Sequence, residues 1–249
     1  MTRFGFLLIE QFSLFNLAAI LDPLRVANQM SGTEHFEWLT CSVDGKPSTC
    51  SSNTSFNVDC ALADLPKCDV LMVCAGFETD PEEIGHIHTQ LRLRERRGSI
   101  LGAISTGSII LASGGLLDDF RCTIHWEYEA AFRERFPNVN CTGRVFEIDR
   151  NRLTTSGGTA SFDLALTLIA EDFSEEVAYQ VANQFQHVRI RKGDERQRAG
   201  KARDFSAKPE KLARVISLME DHLEEPLATS ELARKISLSV RQVGRLFLK

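Results

Sequence analysis

Within the stretch LGAISTGSIILASGGLL, Leu101 to Leu117, one residue is placed to do chemistry. Ile100 to Ile104 reads as a short buried strand, Ser105-Thr106-Gly107 as a tight turn, and Ile109 to Leu117 as a helix that starts almost at once. A strand that turns directly into a helix sets one side chain at the carboxyl edge of its sheet, backed by the free N–H groups of the first helical turn. That side chain is Ser105. It can attack, it can hold a ligand, or it can be the residue of a lost activity. A serine hydroxyl attacks only when a bonded base is itself oriented by an acid, and no G-x-S-x-G surrounds Ser105. As a holding site, the hydroxyls of Ser105 and Thr106 with the N–H groups that follow suit a carboxylate or another anion.

The elements that must position this corner alternate between strand and helix. RFGFLLI is a strand. SLFNLAAILDPLRVANQM is a helix with Leu14, Leu17, Ala18, Leu21 and Leu24 on one face, expected to bend at Pro23. FEWLTCSV alternates with period two, and CDVLMVCAG is a continuous apolar run that fits a strand buried on both faces of a parallel sheet. A charged helix follows from about Pro81 to Arg97, then the corner, then a hairpin over RVFEIDRNRLTTSGG turning at Asp149 to Arg152, then the helix TASFDLALTLIAEDF. The pattern predicts an α/β fold, a doubly wound and mostly parallel sheet, with ligands at the carboxyl ends of its strands. The segments ending there are CAGFE, AISTG and TTSGGT, which brings Gly76, Ser105, Thr106, Gly158 and Thr159 into the candidate site.

Composition narrows the classes. The chain has 249 residues, 43% hydrophobic and 25% charged, ordinary for a soluble globular protein. No apolar run is long enough to span a bilayer or to serve as a signal peptide, so a cytoplasmic location without membrane association is expected. Cys41, Cys50, Cys60, Cys68, Cys74, Cys122 and Cys141 are scattered singly, which predicts reduced and mostly buried thiols. His86 and His88 read as surface helix residues, and no metal or cofactor is expected. The net charge of −5 conceals a division: residues 1–187 carry −11 and residues 188–249 carry +6. A basic tail on an acidic body points to a polyanionic partner.

The tail changes character. An amphipathic helix near Glu175 to Arg189 is followed by RIRKGDERQRAGKARDFSAKP, polar and without apolar periodicity, which reads as a linker. Then KPEKLARVISLMEDHLEEP places Leu212, Val215, Ile216, Met219 and Leu223 at helical spacing. ATSELARKISLSVRQVGRLFLK divides into a helix over Ser230 to Ile236, the turn SLSV, and a second helix through Phe247. Ala233 at the packing position, Leu238 in the turn and the stripe Val243, Leu246 and Phe247 follow helix-turn-helix grammar. Ser239 caps the second helix, and Arg241, Gln242 and Arg245 lie on its free face as DNA-contact candidates. The expected organisation is a ligand-sensing domain over 1–188, a basic linker over 189–207 and a small all-α helix-turn-helix region over 208–249.

LATSELARKISLSVRQVGRLFLK resembles the first helix-turn-helix of AraC-type transcription regulators. The body, through AGF, AISTGSIILASGGLLDD, CTIHWE and LTTSGGTASFDLAL, resembles the PfpI-like, class I glutamine amidotransferase-like domain. Together they resemble the AraC-type regulators that carry such a sensor domain at the N-terminus. PLRVANQMSG, IHWE and SGGTA look most like the regulators that respond to glycine betaine and related quaternary amines. Catalytic relatives have cysteine at the corner and a histidine downstream; here the matching residues are Ser105 and His125. The acidic first-helix residue of those relatives falls at Asn16. The resemblance therefore implies a degenerate, non-catalytic corner, a small-molecule effector, promoter DNA as partner and a homodimer. AraC-type regions hold two helix-turn-helix units, and the sequence reaches Lys249 directly after the first, so weak DNA binding is expected. Phe15, Phe77 and Trp126 are candidate walls for a quaternary ammonium group, which aromatic faces attract, with Glu127 adding charge complementarity. The competing expectation is a serine-based amidase or peptidase using Ser105 and His125.

Overall fold

The computed structural model describes residues 1–76, 87–197 and 227–247, with positions 212, 214, 215, 218, 219 and 222. The chain divides into two compact units, Met1–Gln197 and Arg198–Lys249. In the first, the elements run β1 (Thr2–Leu8), α1 (Leu14–Ser31), β2 (Phe36–Ser42), β3 (Ser48–Thr49), β4 (Ser55–Phe56), β5 (Cys60–Ala61), β6 (Val70–Cys74), α2 (His88–Arg96), β7 (Ile100–Ile104), α3 (Gly107–Ser113), β8 (Arg121–Cys122), α4 (Glu129–Arg135), β9 (Asn140–Cys141), β10 (Phe146–Asp149), β11 (Arg152–Thr155), α5 (Thr159–Asp172) and α6 (Glu175–Gln184).

Among the described residues the main sheet has seven strands in the order β10-β11-β7-β6-β1-β2-β5. Every neighbouring pair is parallel except the β10–β11 hairpin, which pairs Asp149 with Arg152 at its turn. Strand order reverses at β1, with β2 to one side and β6 and β7 to the other, and such a reversal opens a crevice at the carboxyl ends. Each face carries its own core. Phe4, Phe6 and Leu8 of β1 pack with α1, α5 and α6 on one face, while Leu7, Leu71, Val73 and Leu101 pack with residues of α2, α3 and α4 on the other. That alternation is the period-two geometry of a strand covered on both sides.

Several expectations change. Helix α1 is capped by Ser13, whose Oγ accepts the Asn16 N–H, and ends at Gly32 with φ +67°. It runs on through Pro23, and its buried face includes Asn16, Leu17, Ile20, Leu24 and Ala27, while Leu14, Ala18 and Leu21 are half-buried. The helix packs on β2, α5 and α6 at once, so a single-stripe reading misjudged its orientation. Helix α3 begins at Gly107, two residues earlier than expected, and stops at Ser113 before Gly114 and Gly115. Helix α6 ends at Gln184, because Gln186 takes φ 54°. His88 opens α2 half-buried, with Nε2 3.1 Å from both the Ile110 carbonyl and the Ser113 hydroxyl. Positions 81–86 of the expected charged helix, His86 among them, lie outside the described residues. Residues 189–197 belong to the first unit and not to a free linker, whereas 198–207 lie outside the described residues. The seven cysteines are free thiols, six of them buried.

In the second unit, α7 (Thr229–Lys235) and α8 (Val240–Leu246) pack around Val215, Ala233, Ile236 and Val243. The turn is set by Ser237 at φ 57° and by the Leu238 N–H, which donates to the Ala233 carbonyl. Leu212 is buried as expected. Met219 and Phe247 are about half exposed instead of packed, and Ile216 and Leu223 lie outside the described side chains.

Candidate ligand-binding site

Ser105 has φ 56°, a left-handed conformation that costs a side-chain-bearing residue roughly 1–2 kcal/mol. Four contacts hold it there. The Ser105 N–H donates to the Thr155 carbonyl at 2.8 Å, tying the corner to β11. Thr106 Oγ1 donates to the Gly76 carbonyl at 2.6 Å, tying it to the end of β6. Ser108 Oγ donates to the Thr123 carbonyl at 2.7 Å. Gly107 lies so close to β6 that a Cβ would sit 2.4 Å from the Val73 carbonyl oxygen. Overdetermination of this kind is what lets a strained residue persist.

Facing the corner is the first turn of α1. The Asn16 side chain is 7% exposed, and its Oδ1 accepts the Gly158 N–H at 2.6 Å. Between Asn16 and Ser105 stands Gly157, φ +88°, where a Cβ would lie 3.0 Å from Ser105 Cβ and 3.1 Å from Asn16 Nδ2. The glycine is required twice, by its φ and by the closeness of its neighbours. These groups border a cleft of about 210 Å³ lined by Ser13, Phe15, Asn16, Ala75, Gly76, Ser105, His125 and Gly158. That is below the roughly 300–1,000 Å³ of drug-sized pockets and suits a ligand of amino-acid size.

Of the residues expected at the site, Phe15, Asn16, Gly76, Ser105, His125 and Gly158 line this cleft. Phe15 is 57% exposed and so can present its ring. Thr106 is buried with its hydroxyl spent on Gly76, so it supports the corner without lining the cleft. Trp126 does not line it; its ring packs 5.6 Å from the His125 ring. Glu127 points to His125, with Oε2 3.6 Å from Nδ1. Thr159 opens α5 and accepts a hydrogen bond from Arg191. Phe77 lies outside the described residues. Sequence reasoning missed Ser13 and Ala75; the N-cap pattern before an apolar helix marked Ser13, and nothing marked Ala75.

The chemistry of a hydrolase is incompletely assembled. Among the described residues Ser105 makes no hydrogen bond to His125, and the Glu127 carboxylate lies 3.6 Å from His125 Nδ1, beyond hydrogen-bonding distance. The Glu127 N–H donates to His125 Nδ1 at 3.4 Å. Burial lowers the His125 pKa, and the Glu127 carboxylate opposes that shift only in part. The ring is therefore neutral near pH 7. Among the described residues no cluster of three or more His, Cys, Asp or Glu could hold a metal, and no helix is long and apolar enough to cross a membrane.

In the second unit, Ser239 caps α8 by accepting the Gln242 N–H. Gln242 Oε1 returns the contact by accepting from the Ser239 N–H at 2.9 Å. Arg241, Gln242 and Arg245 are exposed. The capping box partly occupies Gln242 and leaves the two arginines as the charged groups of that face.

A fold of this order with a strained corner at the carboxyl edge defines a class, and comparison with known proteins agrees. Residues 5–171 match the model of the DJ-1/PfpI family. The chain is 43% identical over 244 residues to the HTH-type transcriptional regulator CdhR of Pseudomonas aeruginosa, covering 98% of this chain and 72% of that one. It is 40% identical over 245 residues to the regulator GbdR of the same species, covering 98% and 67%. A crystal structure of an AraC family transcriptional regulator from Pseudomonas putida superposes with a TM-score of 0.69 at 27% identity, over 74% of this chain and 100% of that one. More distantly, an isonitrile hydratase of Pseudomonas putida is 29% identical over 190 residues, 75% of this chain and 78% of that one. The chain belongs to the DJ-1/PfpI family, in the branch of helix-turn-helix transcriptional regulators of AraC type.

Proposed function

We propose that the cleft at Ser105 is the effector site of this regulator, that it binds a small zwitterion of the quaternary-amine type, and that Ser105 holds the ligand without attacking it. The observation that carries the reading is the placement of Ser105 and an amide, Asn16, in one small cleft, with no hydrogen bond from the Ser105 hydroxyl to a base among the described residues. Asn16 Oδ1 is occupied by Gly158. Its Nδ2 and the Ser105 hydroxyl are then the donors for a carboxylate. The exposed Phe15 ring is the face for the cationic end, where a desolvated contact contributes roughly 0.5–2 kcal/mol. The protein is a binder, not an enzyme, and its output is DNA contact through α8, with a homodimer as the acting form.

A thermal-shift titration of the 249-residue chain with glycine betaine, glycine and choline tests this. Betaine at a hundred times its Kd adds about 2.7 kcal/mol to the folded state, a rise of roughly 5–10 °C for a domain of this size. Glycine lacks the methylated cation and choline lacks the carboxylate, so each should give a smaller rise. Equal shifts for all three, or none for betaine, would remove the quaternary-amine assignment. Turnover of amide or ester substrates that vanishes in Ser105→Ala would instead establish a hydrolase.

A further inference from the structure

Asp163, one turn into α5, is fully buried in the apolar cluster on the α1 face of the sheet. A carboxylate there is costly to desolvate unless it is paired and hydrogen-bonded, and among the described residues the partners of its two carboxylate oxygens come from one place. Oδ1 accepts from His187 Nε2 at 2.8 Å and from the Arg191 N–H at 2.9 Å; Oδ2 accepts from Arg191 Nε at 2.6 Å. Residues 187–197 are the stretch by which the chain leaves the first unit.

This exit segment is joined to both walls of the cleft. On one side, Arg191 NH2 donates to Thr159 Oγ1 at 2.6 Å, and the residue before Thr159 is Gly158, held by Asn16. On the other, Gln197 Nε2 donates to the Ile124 carbonyl at 2.7 Å and to the Arg144 carbonyl at 3.1 Å, and the residue after Ile124 is His125. Between these anchors, Glu195 accepts from Arg189 at 2.7 Å, and its carbonyl accepts the Val145 N–H. Asn16 and His125 line the cleft together with Ser105, within reach of a ligand there.

We infer that residues 187–197 are the output of the cleft: Asp163–Arg191 and Gln197 clamp the exit segment to the two walls, so that filling the cleft tightens the clamp and emptying it loosens it. The inference rests on the reading of the cleft as an effector site. Its physical content is a coupling between two places in one unit, and such a coupling is reciprocal.

Hydrogen exchange on the full 249-residue chain tests it in two arms. Without ligand, Arg191→Gln should speed exchange of the Gly157 to Thr159 amides by about tenfold, and Asn16→Ala should do the same at the Arg191 amide. The double variant should exceed neither single variant by much, the non-additivity expected of one network. Thr159→Val, which removes only the hydroxyl acceptor, repeats the test in case Arg191→Gln fails to fold. If Arg191→Gln loosens only 187–197 and leaves 157–159 at the wild-type rate, the clamp is an ordinary strap and the inference is overturned. With glycine betaine as probe, bound ligand should slow exchange across 187–197 in the wild type but not in Arg191→Gln. Betaine that raises the melting temperature yet leaves 187–197 unchanged overturns the output role while leaving the effector site standing. Absence of any betaine shift removes the quaternary-amine reading, and the ligand-free arm then decides the clamp alone.

Discussion

Ser105 is where conformational cost and proposed function meet, and replacing it separates the two. Ser105→Gly removes the Cβ that makes φ 56° costly, so the folded state should gain up to about 1 kcal/mol, less part of glycine's larger unfolded-state entropy. The same change deletes the proposed ligand donor. The expected pair of results is a melting temperature equal to or above wild type and a weakened betaine shift; a fall in melting temperature would show that the side chain stabilises more than its backbone strain costs. His125 gives a second test, by pH. Its pKa is lowered in the folded state by burial, so below the ordinary histidine pKa of about 6.5 the unfolded chain takes up a proton that the folded chain does not. Stability contributed by the neutral ring should therefore be full above about pH 6.5 and fall as pH drops toward the lowered value. Urea midpoints from pH 8 to pH 5 should decline less steeply in His125→Gln than in wild type, and parallel declines would mean that another group sets the acid limb.

Elements carry the corner, and the double glycine before α5 is their tightest junction. Gly157→Ala adds a Cβ 3.0 Å from Ser105 and 3.1 Å from Asn16 at φ +88°, for an expected loss of about 2–3 kcal/mol and of the ligand response. Gly32→Ala is the matched control: φ +67° at the end of α1 with nothing within 4 Å, so only the backbone penalty of about 1 kcal/mol applies. Equal urea midpoints for the two variants would mean that the 157 junction relaxes freely. At this scale the sequence was legible where periodicity ran long enough. The strand Ile100–Ile104, the hairpin turning at Asp149 to Arg152, and α5 stand where their patterns put them. The two-residue strands β3, β4, β5, β8 and β9 are too short to show any period. The orientation of α1 escaped because that helix is covered on several sides, and a helix so covered has no single apolar stripe. The pairing of Asn16 with Gly158 and of Asp163 with Arg191 spans 142 and 28 residues, separations that no local pattern reports. The cap of α8 was legible, since a serine three residues before a glutamine at the start of an apolar helix is a local signal.

For the whole molecule the division of charge matters most: the body to residue 187 is acidic and the remainder is basic. Arg241 and Arg245 belong to the second unit and Ser105 to the first, so DNA contact is tested by variants that leave the corner's own residues unchanged. If Arg241 and Arg245 neutralise phosphates, each releases counterions, and the slope of log K against log salt should shrink by about one unit per arginine lost. The experiment is fluorescence anisotropy of a labelled duplex, from 50 to 200 mM salt, with the wild type, the Arg241→Ala/Arg245→Ala double variant and Arg234→Ala. The double variant should bind more weakly on every duplex tested, with the slope reduced by about two. Arg234 is the control because it is exposed on α7 and lies 3.9 Å from Glu231 on the same helix, so its loss should leave the slope alone. A slope that changes with Arg234 and not with the pair would move the DNA-binding face from α8 to α7. A reduction confined to one duplex sequence would instead mean that the arginines read bases, because phosphate contacts weaken binding uniformly and base contacts do not.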